Sequence, residues 1–209
     1  GIECASYASM RHALGRGKRP GGGTTLAEGI AVKEPGKITR RIIAALVDDI
    51  LLVEEDAIEK AVALFLDGQR LVVEGAGAVP LAALLAHRRR FRGKRVGLIV
   101  SGGNIDARLL ASILQRALAR AGRLVRLRVE ITDVPGALAK VTRIIGERGG
   151  NILEIYHQRL FFDVPVKLAE VDVVVETRNA AHVGEIMAAL TADALPVRLL
   201  SSTALTARE

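Results

Sequence analysis

The sequence predicts an α/β chain in two parts, and three observations carry that prediction. From residue 30 to about 122, helical stretches alternate with short apolar runs. Within that span, the continuous apolar run Val96–Val100 leads into Ser101-Gly102-Gly103-Asn104 and then into helical spacing, the strand–turn–helix signature of an α/β layer. After Gly122 the order becomes strand, helix, strand, strand, helix, strand, a ferredoxin-like βαββαβ arrangement. The boundary is placed there, giving parts 1–122 and 123–209.

The elements of the first part follow in order. Gly1-Ile2-Glu3-Cys4 reads as the end of a strand already under way, so the start is expected to be internal to a longer protein, by truncation or by processing. Gly21-Gly22-Gly23 follows no clear strand and reads as a flexible connection. Glu54, Glu55 and Asp56 place acid in a first helical turn, where the helix dipole favours it, and Ile58, Ala61, Val62 and Phe65 follow at helical spacing. Gly75–Ala86 is rich in Ala and Leu and reads as a buried helix, with Pro80 expected near its first turn. Leu109, Leu110, Ile113, Leu114 and Leu118 mark the helix after the Gly-rich turn.

In the second part, Val125, Leu127, Val129 and Ile131 alternate with Arg126, Arg128 and Glu130, which predicts a half-buried strand. Asp133-Val134-Pro135-Gly136 is a turn. Leu138, Val141, Ile144 and Ile145 form a helical stripe that Gly149-Gly150 stops. Ile152–Gln158 and Leu168–Glu176 read as strands, Val183, Ile186, Met187 and Leu190 as a second helical stripe, and Pro196–Ser201 as a last short strand.

Composition bounds the function classes. The chain has 209 residues, half of them hydrophobic but only 3% aromatic, so Val, Leu, Ile and Ala must build the core. Cys4 is the sole cysteine, and the four histidines are scattered, which excludes an internal disulfide and gives no zinc spacing. A reducing, cytoplasmic compartment is expected. No apolar run reaches the roughly 18–20 residues of a membrane helix, and no signal peptide opens the chain. The net charge of +7 permits anionic partners. Much of it sits in the cluster of residues 87–95, which reads as a solvated helix end and loop; without an aromatic stacking platform, nucleic-acid binding is a minor alternative.

Four stretches carry a resemblance: Gly1-Ile2-Glu3, Thr25-Leu26-Ala27-Glu28-Gly29-Ile30-Ala31-Val32-Lys33, Leu71-Val72-Val73-Glu74-Gly75-Ala76-Gly77-Ala78, and Val100-Ser101-Gly102-Gly103-Asn104-Ile105-Asp106. Together, in this order and spacing, they resemble the threonine dehydratase (threonine ammonia-lyase) and serine racemase group of fold-type-II, tryptophan synthase β-like enzymes, which depend on pyridoxal 5'-phosphate. The tail resembles an ACT domain. The chain thus looks like the C-terminal part of such an enzyme. The resemblance implies deamination of L-threonine, with L-serine as a further substrate, to a 2-oxo acid and ammonia. It further implies an amino-acid effector and a homo-oligomer. It also implies that the lysine forming the Schiff base with the cofactor, and the Gly-rich phosphate loop, precede residue 1. The seven lysines present, Lys18, Lys33, Lys37, Lys60, Lys94, Lys140 and Lys167, do not sit in the family's Ser-Phe-Lys type of setting.

By the same resemblance, the Ser101 hydroxyl contacts the pyridine nitrogen of the cofactor; the alternative is that it caps the following helix. Gly102 and Gly103 allow close backbone approach to the ring, Gly29 lines the pocket, and Glu74 lies near the ring, where it serves in proton traffic or stands as a helix-entry acid. Asn104 braces the loop or caps the helix near Asp106. Glu3 matches a residue that helps bind a structural cation in related enzymes, together with a backbone carbonyl and often an acid a few residues on. Tyr7 and Ser9 occupy those positions here; Ser9 brings no charge, which speaks against a tight divalent site and leaves a monovalent ion, a divalent ion or no metal as open readings. In the tail, Asp133, Pro135, Gly136, Ala137 and Leu138 resemble the effector loop of ACT domains, before a helix start whose free N–H groups suit a carboxylate, and Asn151 is placed to meet the effector from a neighbouring strand. The rival expectation is a non-catalytic amino-acid-binding or assembly module.

Overall fold

The computed structural model describes residues 1–158 and 167–200, and the chain divides into two compact units, Gly1–Leu114 and Gln115–Glu209. In the first unit β1 (Ile2–Cys4) pairs in parallel with β2 (Leu51–Val53), with Glu3 opposite Leu52. Five helices accompany this pair: α1 (Ser9–Ala13), α2 (Lys37–Leu46), α3 (Glu55–Gln69), α4 (Gly75–Ala86) and the short α5 (Arg88–Phe91). The apolar stripe of α3 buries Ile58, Ala61, Val62 and Phe65, as its spacing predicts, with Glu55 and Asp56 in the first turn. The helix α4 buries Ala78, Val79, Ala82 and Ala83 and packs against α3 and both strands.

Two expectations for this unit need correction. Val96–Val100 forms no strand, and Ile99 is 85% exposed. A strand needs a neighbour to complete its ladder, and among the described residues the only sheet of this unit is the β1–β2 pair. Pro80 lies in the second turn of α4, where it removes the N–H that would bond the Ala76 carbonyl, yet the helix continues to Ala86 under tertiary packing. Gly21–Gly23 lies in a connection with no helix or strand, where Gly22 N–H donates to the Ser6 carbonyl at 3.0 Å and the Tyr7 hydroxyl to the Gly23 carbonyl at 2.7 Å.

A helix α6 (Ala107–Arg120) leads to the second unit. There the order is β3 (Leu124–Thr132), α7 (Ala137–Glu147), β4 (Asn151–Gln158), β5 (Leu168–Glu176), α8 (Ala180–Ala192) and β6 (Val197–Leu200). The sheet order β4-β5-β3-β6, antiparallel throughout, is the ferredoxin-like arrangement that the pattern predicts. Ser201, expected at the end of β6, lies outside the described residues. One sheet face buries Val125, Leu127, Val129, Ile131, Val171, Val173 and Val175 against Val141, Ile144 and Ile145 of α7 and Val183, Ile186 and Leu190 of α8. At roughly 1.5–3 kcal/mol for each large apolar side chain, this burial is the main term holding the unit together. His182 is fully buried in the first turn of α8; its Nδ1 accepts from Arg178 N–H, and its Nε2 lies 2.7 Å from the Arg148 carbonyl at the end of α7. No helix among the described residues is long and apolar enough to cross a membrane.

Candidate functional site

The first unit brings Gly29, Glu74, Ser101 and Gly102 together from three separate segments. The segment carrying Gly29 is fixed by polar contacts at the end of β1. The Cys4 thiol donates to Glu55 Oε1 at 3.0 Å, and Glu55 Oε2 accepts Leu26 N–H at 2.9 Å. Thr25 Oγ1 lies 3.3 Å from Cys4 Sγ and accepts Ala27 N–H at 3.1 Å. The Leu26 carbonyl then lies directly on Gly75, where any Cβ would overlap it. With the segment so held, a Cβ on Gly29 would meet Ala76 Cβ at 3.2 Å and Glu74 Oε1 at 3.5 Å.

The Gly-rich turn completes the group. Glu74 N–H donates to the Gly102 carbonyl at 3.2 Å, and Gly102 has φ +74°, a left-handed conformation that favours glycine. A Cβ there would also overlap the Glu74 carboxylate, and one on Gly77 would overlap the Ser101 carbonyl. Glycine is therefore favoured at Gly102 by its left-handed φ and required at Gly77 by close approach to backbone. Glu74 stands at the N-cap of α4, but its carboxylate makes no cap bond and lies over Gly102 instead. Ser101 does not cap the helix after it. That helix begins at Ala107, and Asp106 Oδ1 accepts Leu109 N–H at 3.0 Å. Asn104 is not the cap either. Ser101 is exposed, and its hydroxyl makes no hydrogen bond among the described residues. The result is a cradle with one free hydroxyl, one carboxylate and glycines whose Cβ positions are already taken by neighbouring protein atoms.

Glu3 is engaged by backbone. Its Oε1 accepts Met10 N–H at 2.8 Å and its Oε2 accepts Arg11 N–H at 2.9 Å, both at the start of α1. Ser9 is buried, and its hydroxyl donates to the Val32 carbonyl and, at 3.2 Å, to the Tyr7 carbonyl. Among the described residues, no three His, Cys, Asp or Glu side chains are grouped to hold a metal ion.

In the second unit, a cleft of about 540 Å³ opens beside the start of α7. Gly136 and Ala137 line it, but Asp133, Pro135, Leu138 and Asn151 do not. Sequence reasoning missed its charged walls, Glu130, Lys140 and Asp193. Lys140 Nζ lies 3.4 Å from Asp193 Oδ2, a contact between distant parts of the chain with no local sequence signal. One chain does not bring Asn151 to the loop. Asn151 faces Glu176, which pairs with Leu124, whereas the loop follows Thr132 at the other end of β3. Eight rises of about 3.4 Å put these ends roughly 27 Å apart. Asn151 instead donates to Glu176 at 3.1 Å.

The outer face of this sheet holds a further feature absent from the expectations. Asp172 and Glu170 are buried acids served by arginines. Arg126 and Arg128 meet Asp172 at 2.6 Å each, and Arg128 and Arg198 meet Glu170 at 3.0 and 3.1 Å. The hydrogen bond from Arg128, aided by that from Arg126, holds the Asp172 carboxyl below the usual carboxylate range against the opposing effect of burial.

Comparison with known proteins agrees with both units. Residues 1–102 match the family model described as pyridoxal-phosphate dependent enzyme, and residues 125–194 match that of the ACT domain. The chain is 42% identical over 192 residues to the L-threonine ammonia-lyase of Geobacter sulfurreducens, covering 91% of this chain and 48% of that protein. It is 37% identical over 202 residues to the L-threonine ammonia-lyase of Thermotoga maritima, covering 96% and 50%. A solved threonine deaminase from the organism abbreviated T.th. is similar at 36% identity, TM-score 0.46, over 51% of this chain and 35% of that one. The chain spans about half the length of the curated relatives it matches.

Proposed function

We propose that this chain, whose residues 1–102 match the pyridoxal-phosphate dependent enzyme family and whose residues 125–194 match the ACT domain family, supplies part of the cofactor pocket and the regulatory domain of a threonine ammonia-lyase. The reaction is deamination of L-threonine, with L-serine as a second substrate, to a 2-oxo acid and ammonia, in a cytoplasmic, homo-oligomeric enzyme. The observation that carries this reading is the convergence of Gly29, Glu74, Ser101 and Gly102 on one cradle.

The residues present suit pyridoxal phosphate in their chemistry, because the exposed Ser101 hydroxyl makes no hydrogen bond among the described residues and is available to a ring nitrogen. When bound, the cofactor supplies an electron sink for the charge left on removal of a substrate α-proton. Ser101 offers the ring nitrogen a neutral hydrogen-bond partner, which orients the ring without holding that nitrogen protonated. Gly102 and Gly29 let the backbone approach the ring. The Glu74 carboxylate, which lies over Gly102, would hold or move a proton beside the bound cofactor. None of the seven lysines is assigned the covalent role, so the chain alone is proposed to be inactive. In the complete enzyme, Ser101→Ala should lower 2-oxobutanoate formation and alter cofactor absorbance with the fold intact. Unchanged affinity, absorbance and rate would remove Ser101 from the site, and robust turnover by the isolated chain would show that the catalytic lysine is among these seven.

The second unit is proposed to bind an amino-acid effector at the Asp133–Leu138 loop of a dimer. The edge strand β4 leaves Leu153, Ile155 and Tyr156 exposed, and the buried His157 Nε2 has no hydrogen-bond partner among the described residues. Antiparallel pairing of β4 with β4 of a second copy would carry the partner's Asn151 to the end where Gly136 and Ala137 stand. Isoleucine or valine should then raise the melting temperature and slow hydrogen exchange at Gly136–Leu138 and Asn151. If isoleucine, valine, threonine and serine at millimolar concentration change neither, the unit is an assembly module.

A further inference from the structure

We propose that the Glu3 site of this chain is closed by hydrogen bonds and takes no structural cation. The proposal rests on the fold of the first unit and is independent of the reaction.

By the family resemblance, a structural cation in related enzymes is held by a residue at the Glu3 position with a backbone carbonyl and often an acid, positions taken here by Tyr7 and Ser9. Here each is engaged by the protein itself. Both oxygens of the Glu3 carboxylate accept N–H groups at the start of α1, from Met10 at 2.8 Å and Arg11 at 2.9 Å. The Tyr7 carbonyl accepts the Ser9 hydroxyl at 3.2 Å. The same hydroxyl also reaches the Val32 carbonyl, so its one proton is committed to two backbone carbonyls. A divalent ion asks for six or more oxygens with enough negative charge to replace its water. Glu3 offers the only negative charge among the three side chains, and two amide dipoles already balance it.

These bonds also do the mechanical work of a bridging ion. They tie β1 to α1 and, through Ser9 and Val32, to the 25–33 segment that places Gly29 beside Glu74. Ser9 is buried, so its hydroxyl bridge is shielded from competing water. A hydroxyl suffices where relatives use an acid, because it donates to the carbonyls instead of gathering them around a metal.

The test is a set of melts on the purified chain, dialysed against EDTA and then supplied with Mg²⁺, Ca²⁺, Mn²⁺, K⁺ or Na⁺ at matched ionic strength. The wild-type transition of the first unit should stay within experimental scatter across all five ions. Ser9→Asp should lower that transition in EDTA, because a second carboxylate then faces two carbonyls, and millimolar Mg²⁺ or Ca²⁺ should restore it. Ser9→Ala should lower it with no rescue by any ion, which keeps the test decisive if Ser9→Asp fails to fold. Bound metal in the wild-type chain by elemental analysis after dialysis, or a wild-type melt raised by several degrees by one ion alone, would overturn the proposal. So would a Ser9→Ala chain as stable as wild type.

Discussion

Replacing Asp172 by Asn tests whether the charged ladder on the outer sheet face holds the second unit together. The Asp172 side chain is 7% exposed and takes hydrogen bonds from Arg126 Nη2 at 2.6 Å, Arg128 Nε at 2.6 Å and Arg128 Nη2 at 2.9 Å. Removing one partner of a buried ion pair costs about 3–5 kcal/mol, because the other charge is stranded. Two features reduce that here. Arg128, 20% exposed, keeps Glu170 at 3.0 Å, and Arg126, 45% exposed, turns to water. Asn also still accepts one bond. The expected loss is therefore about 2 kcal/mol, or roughly 8–16 °C in the melt of a domain this size. The sign with pH follows from the lowered carboxyl. The Asp172 contribution is fully present above the ordinary value near 3.9 and is lost as pH falls through the lower folded-state value. The gap between wild type and Asp172→Asn should thus be widest near neutrality and close in strong acid. Thermal melts by circular dichroism at neutral and strongly acidic pH give the answer. A neutral-pH melt within about 2 °C of wild type, or a gap that persists undiminished in acid, would refute the reasoning.

Three further perturbations follow. Gly77→Ala drives a Cβ into the Ser101 carbonyl and should destabilise the first unit by about 2 kcal/mol, while weakening cofactor binding in the complete enzyme, as read by melts and cofactor absorbance. Ala194 sits at φ +58° in the turn after α8, so Ala194→Gly should stabilise the second unit by about 1 kcal/mol, seen as a higher urea midpoint at unchanged slope. Ile155→Lys places a charge on the open edge of β4 and should shift the chain toward monomer in analytical ultracentrifugation with the melt of the monomer little changed; an unaltered dimer would move the interface elsewhere.

The sequence by itself determined which face of each element is apolar, because that depends only on spacing along a few residues. The alternation of Val125, Leu127, Val129 and Ile131 and the stripes Val141–Ile145 and Val183–Leu190 lie where the pattern puts them, in the core. Glu74, Ser101 and Gly102 stand out by the resemblance of their two Gly-rich stretches to a known family, and the structure brings those stretches together. Pairing and polar satisfaction left no mark in the sequence, and the tertiary structure decided them. Val96–Val100 has the composition of a buried strand but no neighbour among the described residues to complete its ladder. Asn151 is close to the Asp133 loop along the chain, yet strand direction sets it at the far end of the sheet. Arg126 and Arg128 read as the solvated side of a strand, until Asp172, more than forty residues away, arrives opposite Arg128 and makes them partners of a buried charge. Periodicity is a local property of the chain, whereas the partner of a backbone N–H or a carboxylate is fixed only when distant segments meet.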